Sequence, residues 1–219
     1  MEENSYQVCT VFQRLLGHGR IANKLLQSLK EELQEIFNTE RSLAQAVKSD
    51  DHSTVLAGEM VSQRGLKPSM NGYQKLIDDV FMVGCQRYID SFVEIYKGES
   101  SARYWDNNRD RLCIDPIWVN YSKAGDYNPY HIHSGVLSGV LFINVPKQIM
   151  GAGNHNGGGL LNLYGPESFD PSTLRGEMVQ VIAPNEGEFV IFPAWQPHSV
   201  HPFDGKGRRI SVSFNAFLK

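Results

Sequence analysis

No apolar run in the 219-residue sequence approaches the roughly 20 residues that a membrane helix needs, so no membrane span is expected. Cysteine is scarce: Cys9, Cys85 and Cys113 are odd in number, widely spaced and form no CxxC pair. That pattern argues against a disulfide framework and for reduced thiols in a cytoplasmic protein. An excess of positive charge is missing too, since 21 Lys plus Arg stand against 24 Asp plus Glu for a net charge of −3. Neither nucleic acid nor an anionic membrane is therefore an expected partner. The first residues, MEENSYQVCTVFQRLL, carry acidic groups where a signal peptide carries basic ones. A small molecule or a protein side chain remains as the expected substrate.

What is present suits an ordinary globular chain, with 41% hydrophobic and 21% charged residues. The length allows one core with a helical extension. Apolar positions Ile21, Leu25, Leu26, Leu29, Leu33, Ile36 and Phe37 recur at helical spacing, which predicts an amphipathic helix over 21–37. A second stripe runs through Leu76, Ile77, Val80, Phe81, Tyr88, Ile89, Phe92 and Tyr96, predicting a helix from about Tyr73 to Lys97 with its cap near Asn71 and its stop at Gly98. Residues 49–71, rich in Ser, Gly and charge, read as a loop or a poorly ordered link. After about Tyr104 the chain breaks into short β-rich runs at 117–121, 129–133, 136–144, 160–164, 178–182, 189–192, 199–203 and 209–217. Eight such runs without intervening helices predict a jelly roll, giving a mainly β fold with N-terminal helices. The division expected is a helical region over 1–104 packing on a double-stranded β-helix over 105–219. The helices are expected to buttress the barrel and are also where a homodimer could form. The Gly-rich stretch 151–159 reads as a loop near the pocket mouth.

Four of the seven histidines fall in two tight clusters, NPYHIHSG and PAWQPHSVHPF. Residues two apart on a strand share a face, so His131 and His133 can chelate one ion while Ile132 faces the other way. His198 is the best-placed third ligand. Neutral imidazole suits iron, zinc, copper or nickel, so the donors alone do not name the metal. His201 is expected as an outer support to the site, His155 as a solvated loop residue, and His18 and His52 carry no role.

The segments NYSKAGDYNPYHIHSGVLSGVLFINVP, APNEGEFVIFPAWQPHSVHPF and GRRISVSFN, in that order, resemble the 2-oxoglutarate/Fe(II)-dependent oxygenases common in phage and bacterial genomes. The likeness spans about 117–217 and leaves the first hundred residues unmatched. It implies Fe(II), held by His131, His133 and His198, and 2-oxoglutarate as co-substrate. Arg209 and Ser211 would correspond to the pair that grips the far carboxylate, a guanidinium fork plus a hydroxyl donor, with Arg208 pointing away. Tyr121 and Asn162 are further expected contacts for 2-oxoglutarate, and Trp118, Tyr130 and Trp195 are aromatic residues that either line the pocket or join the core. In one respect the sequence departs from the wider superfamily, which has Asp or Glu where this chain has His133; the substitution leaves the metal one charge more positive. Asp126 could supply a carboxylate, although in GDYN a turn-forming Asp is the commoner reading.

Two other readings stay open. Gly125 followed by His131-x-His133, and Gly187 followed by Pro193 and His198, approximate the cupin motifs, which would imply a three-histidine dioxygenase independent of 2-oxoglutarate. A metal-stabilised jelly-roll binding module is the other, and it would have a closed ligand shell.

Overall fold

All eight β-rich runs of the second half form strands, several longer than their apolar cores. The computed structural model describes residues 5–11, 14–43, 62–66, 68–150, 158–170, 172 and 175–219. The strands from the predicted runs are β4 (Leu112–Ser122), β5 (Asn128–His131), β6 (Leu137–Asn144), β7 (Leu161–Asp170), β8 (Arg175–Ile182), β9 (Glu188–Pro193), β10 (His198–Val200) and β11 (Arg209–Leu218). Three more lie in the first half: β1 (Ser5–Val11), β2 (Arg14–Arg20) and β3 (Ser62–Gly65). They make two sheets, ordered β1-β2-β9-β6-β11-β4-β3 and β5-β10-β7-β8, with every pairing antiparallel. This is the double-stranded β-helix, the expected fold class.

The helices are α1 (Asn23–Leu43), α2 (Tyr73–Lys75), α3 (Val83–Ile95) and α4 (Ser100–Asn108), with a π-helical stretch Leu76–Met82 joining α2 to α3. The predicted first helix thus begins two residues later and ends six later, and the second is one continuous rod interrupted in hydrogen-bond pattern rather than direction. α4 was not expected from periodicity. Helices and larger sheet share one core, in which Leu26, Leu29 and Leu33 of α1 and Phe81, Cys85 and Ile89 meet Val119, Tyr121, Val212 and Phe214. Phe81 stacks on Phe214 with centroids 4.4 Å apart, a contact worth up to about 1.5 kcal/mol beyond burial. Gly84 lets α3 approach the sheet, because a Cβ there would lie 2.5 Å from Ile191 Cδ1. A second core between the sheets contains Leu16, Phe142, Leu161, Leu163, Phe192 and Phe203.

The loop expected over 49–71 requires correction in part. Residues 62–65 are β3, which pairs with β4 from Ser62↔Tyr121 to Gly65↔Trp118; residues 44–61 lie outside those described. The hairpin β1–β2 was hidden by its own packing. Leu15 and Leu16 are consecutive, and each is buried in a different core, so the strand RLLGHGR shows no alternation. Gly17 and Gly19 further mask it, yet a Cβ at either would come within 2.3 Å of Tyr6 or Phe189.

Candidate metal centre and co-substrate pocket

β10 pairs with β5 so that His198 faces His131 across the ladder. His133 lies just beyond the end of β5, where its backbone N–H donates to Ala194 O at 2.8 Å. The chain remains extended enough that His131 and His133 still share a side, while Ile132 points outward and is 56% exposed. Ring centroids of the three histidines are 4.1–5.0 Å apart, and their nearest ring nitrogens all lie within 4.8 Å of one another. Among the described residues this is the group able to hold a metal ion.

Two of the rings are oriented by main chain. Nδ1 of His131 lies 2.6 Å from Pro129 O, and Nδ1 of His198 lies 2.9 Å from Gln196 O. A carbonyl only accepts, so each Nδ1 carries the proton and each Nε2 keeps its lone pair for a ligand. Burial pushes the pKa of His133 down to about 4 and that of His198 down to about 3, with the neighbouring His131 adding to both. Burial lowers His131 as well. All three are neutral at pH 7, the form in which imidazole ligates.

A cavity of about 210 Å³ extends from the histidines between the sheets. Its far end holds Arg209, which is 4% exposed. Nη1 donates to Gly159 O at 2.9 Å and Nη2 to Ser122 Oγ at 3.5 Å. Burial lowers the guanidinium pKa to about 10, with Asp126 opposing the shift, so the group stays cationic. β11 explains the wall. Arg209, Ser211 and Ser213 line the cavity, while Ile210, Val212 and Phe214 point into the helix-facing core. The neighbouring strands complete a polar row, in which Gln63 Nε2 donates to Asn120 Oδ1 at 2.9 Å and Asn120 Nδ2 to Ser213 Oγ at 3.1 Å.

The expected site residues are thus only partly brought together. His131, His133, His198, Arg209, Ser211 and Trp118 line one cavity. Tyr121 and Asn162 do not, and their expected contact with 2-oxoglutarate is corrected. The Tyr121 hydroxyl donates to Leu33 O at 2.9 Å on the helix side of the sheet, because parity along β4 gives the cavity face to Trp118 and Asn120 instead. Asn162 lies opposite Ser199 on adjacent strands, whereas Leu161 on the other face borders the cavity. Asn120 and Gln63 are the residues missed; alternation in IWVNYS could have found Asn120. Tyr130 and Trp195 are 64% and 52% exposed, outside the core. His201 is exposed rather than an outer support to the site. His155 and His52 lie outside the described residues, as do 151–157 of the Gly-rich loop. Asp126 is the turn former expected, its Oδ2 accepting from Lys123 N at 2.9 Å. Its charge also favours the cationic form of the buried Arg209 guanidinium, an influence its turn position did not suggest.

Fold and site together define a double-stranded β-helix protein with a three-imidazole metal group and a buried cation in one cavity. Residues 116–215 match the family described as "Putative 2OG-Fe(II) oxygenase". Over that segment, a little under half of the chain, it is similar to the 2-oxoglutarate- and Fe(II)-dependent oxygenases. No curated protein matches the chain. Among solved structures, AviO1 from Streptomyces viridochromogenes Tue57 shares the fold at a TM-score of 0.55 and 11% identity, over 99% of this chain and 90% of that one. A Pseudomonas putida prolyl-4-hydroxylase aligns at a TM-score of 0.48 and 15% identity, over 99% and 94%. A Trichoplax adhaerens prolyl hydroxylase, solved with a hypoxia inducible factor peptide, aligns at 0.48 and 16%, over 98% and 84%. The residues present fit Fe(II) and the co-substrate: neutral imidazoles suit iron, and a buried guanidinium suits a carboxylate. No helix among the described residues is long and apolar enough to cross a membrane.

Proposed function

We propose that the chain hydroxylates a C–H bond of a small molecule or protein side chain, with His131, His133 and His198 holding Fe(II) and Arg209 and Ser211 holding the far carboxylate of 2-oxoglutarate. The observation that carries this reading is the single cavity whose two ends offer three neutral imidazoles and one buried cation. When bound, Fe(II) and 2-oxoglutarate supply, with dioxygen, the oxidising power for hydroxylation, the co-substrate leaving as succinate and carbon dioxide. The protein's part is to bind and orient. The Arg209 fork and the Ser211 hydroxyl converge on one carboxylate, and Asn120, braced by Gln63 and Ser213, offers an amide along the same wall. Trp118 packs against His133 with ring centroids 5.6 Å apart and shields the metal group from water on that side.

Size restricts the substrate. At about 210 Å³ the cavity is smaller than the roughly 300–1,000 Å³ that engulfs a drug-sized ligand. With the co-substrate inside, only the reacting group of the prime substrate enters, and the rest lies across the mouth near Tyr130 and Ile132. Residues 105–219 carry this chemistry, with the region 1–104 closing the pocket edge through β3, and free Cys85 and Cys113 suit a cytoplasmic location. The experiment is succinate release by purified protein given Fe(II), ascorbate and 2-oxoglutarate. Slow release without prime substrate is expected, abolished by His131→Ala. Oxygen uptake indifferent to 2-oxoglutarate would sink the reading in favour of the cupin-type dioxygenase.

A further inference from the structure

Outside the segment that matches the oxygenase family, the N-terminal hairpin reaches the metal group at one point. β2 pairs with β9 from Arg20↔Glu188 to Gly17↔Ile191, where the ladder ends. Continued in the same register it would bring Arg14 opposite Ala194, at the turn between β9 and β10. Arg14 spans that gap with its side chain. Its Nη1 donates to Gln196 Oε1 at 2.9 Å, and its guanidinium lies 4.4 Å from the centroid of the Trp195 ring. Gln196 is only 3% exposed. Its Nε2 donates to Tyr164 O at 2.6 Å and to Pro197 O at 3.0 Å, its backbone N–H donates to Pro193 O at 2.8 Å, and its own carbonyl accepts the Nδ1 proton of His198 at 2.9 Å.

We infer that Arg14 and Gln196 are positioning residues that set the plane and tautomer of His198 from outside the barrel. The inference rests on His198 being a metal ligand. A ligating imidazole needs its other nitrogen held by an acceptor; here that acceptor is a main-chain carbonyl in a short turn, so the ring is held only as firmly as the turn. The Gln196 amide staples the turn to β7. With its NH2 directed at two carbonyls, its Oε1 is left needing a donor, and Arg14 is that donor. Arginine suits the place because one plane both donates sideways and stacks on Trp195. Removing it leaves a buried amide oxygen unpaired, which frees the amide to turn over and release the staple.

The test is a Co(II) titration of the metal-free protein, read by the visible d–d spectrum and alongside its thermal melt. Arg14→Met, which keeps the bulk and loses the donor, is expected to weaken Co(II) binding by about 10-fold, the low end of what losing a ligand's direct outer partner costs because Arg14 acts one step further out, and to shift the bands. Arg14→Lys, which keeps a donor, recovers most of the affinity. Wild-type affinity and spectrum in Arg14→Met overturn the inference, as does a loss that Lys does not recover, since that would be packing. If the folded wild type itself binds no Co(II), the three-histidine reading falls first and takes this inference with it. Should Arg14→Met fail to fold, Trp195→Ala removes only the half-exposed stacking partner. It is expected to weaken Co(II) binding a few-fold, and unchanged binding would overturn the inference equally.

Discussion

At one end of the cavity burial leaves three imidazoles neutral; at the other it leaves Arg209 charged. The same desolvation acts on both ends and disfavours the cation in each. The outcome differs because the ordinary imidazole value already lies below neutral and burial takes His133 down to about 4 and His198 to about 3, whereas guanidinium starts far above neutral and Arg209 falls only to about 10. A pocket built this way offers lone pairs at one end and a fixed positive charge at the other. A metal would satisfy the first and a carboxylate the second, so on the proposed function a molecule that both chelates the metal and carries a distal carboxylate would be held by the two together.

The contrast breaks most sharply at the imidazole end. His131→Ala or His198→Ala removes a ligand, and metal affinity should fall by more than the roughly 100-fold that losing an outer partner can cost; calorimetric titration with Fe(II) or Co(II) under anaerobic conditions measures it. At the other end, Arg209→Met should leave metal binding intact and weaken 2-oxoglutarate by about 10-fold or more, given that a hydrogen bond to a charged group is worth about 1.5–3 kcal/mol. Equal loss of both ligands in that variant would mean the two ends are not separable. Proton linkage sharpens the comparison next. The folded pKa values of His133 and His198 lie below the ordinary 6.5, so as pH falls the unfolded chain takes up protons that the native site refuses. The metal-free protein should therefore lose melting temperature between about pH 6.5 and about pH 3, and His133→Gln should reduce that slope. The smallest effect is expected from Tyr121→Phe, which removes a hydrogen bond to Leu33 O and should cost about 1 kcal/mol of stability with 2-oxoglutarate affinity unchanged.

Much of this contrast was legible in the chain. The HIH and PHSVH clusters and the RIS element lie at strand ends, and two-residue parity placed His131 with His133 and Arg209 with Ser211. Parity also explains the two misplacements. In IWVNYS the apolar positions Ile117, Val119 and Tyr121 alternate with Trp118, Asn120 and Ser122, and the first set is packed with the helices. Tyr121 belongs with that set despite its hydroxyl, which finds a main-chain acceptor there. Asn162 is likewise displaced by its neighbours Leu161 and Leu163, which occupy the inter-sheet core. What the sequence could not reveal depends on distant partners. β2 is a strand because β9 and Tyr6 accommodate its glycines, and Asp126 matters to Arg209 through a meeting of loop and strand that no local pattern encodes.

β11 has a further consequence. Its odd positions, from Arg209 to Ser213, belong to a wet chamber and its even ones, from Ile210 to Phe214, to a dry interface. A slip of one residue during pairing would exchange the two sets, driving a guanidinium into hydrocarbon and three large apolar groups into the chamber. Such a misfold is penalised on both faces at once. The strand therefore proofreads its own alignment, and a chain that has settled the register of β11 has, in the same event, aimed the Arg209 guanidinium into the cavity.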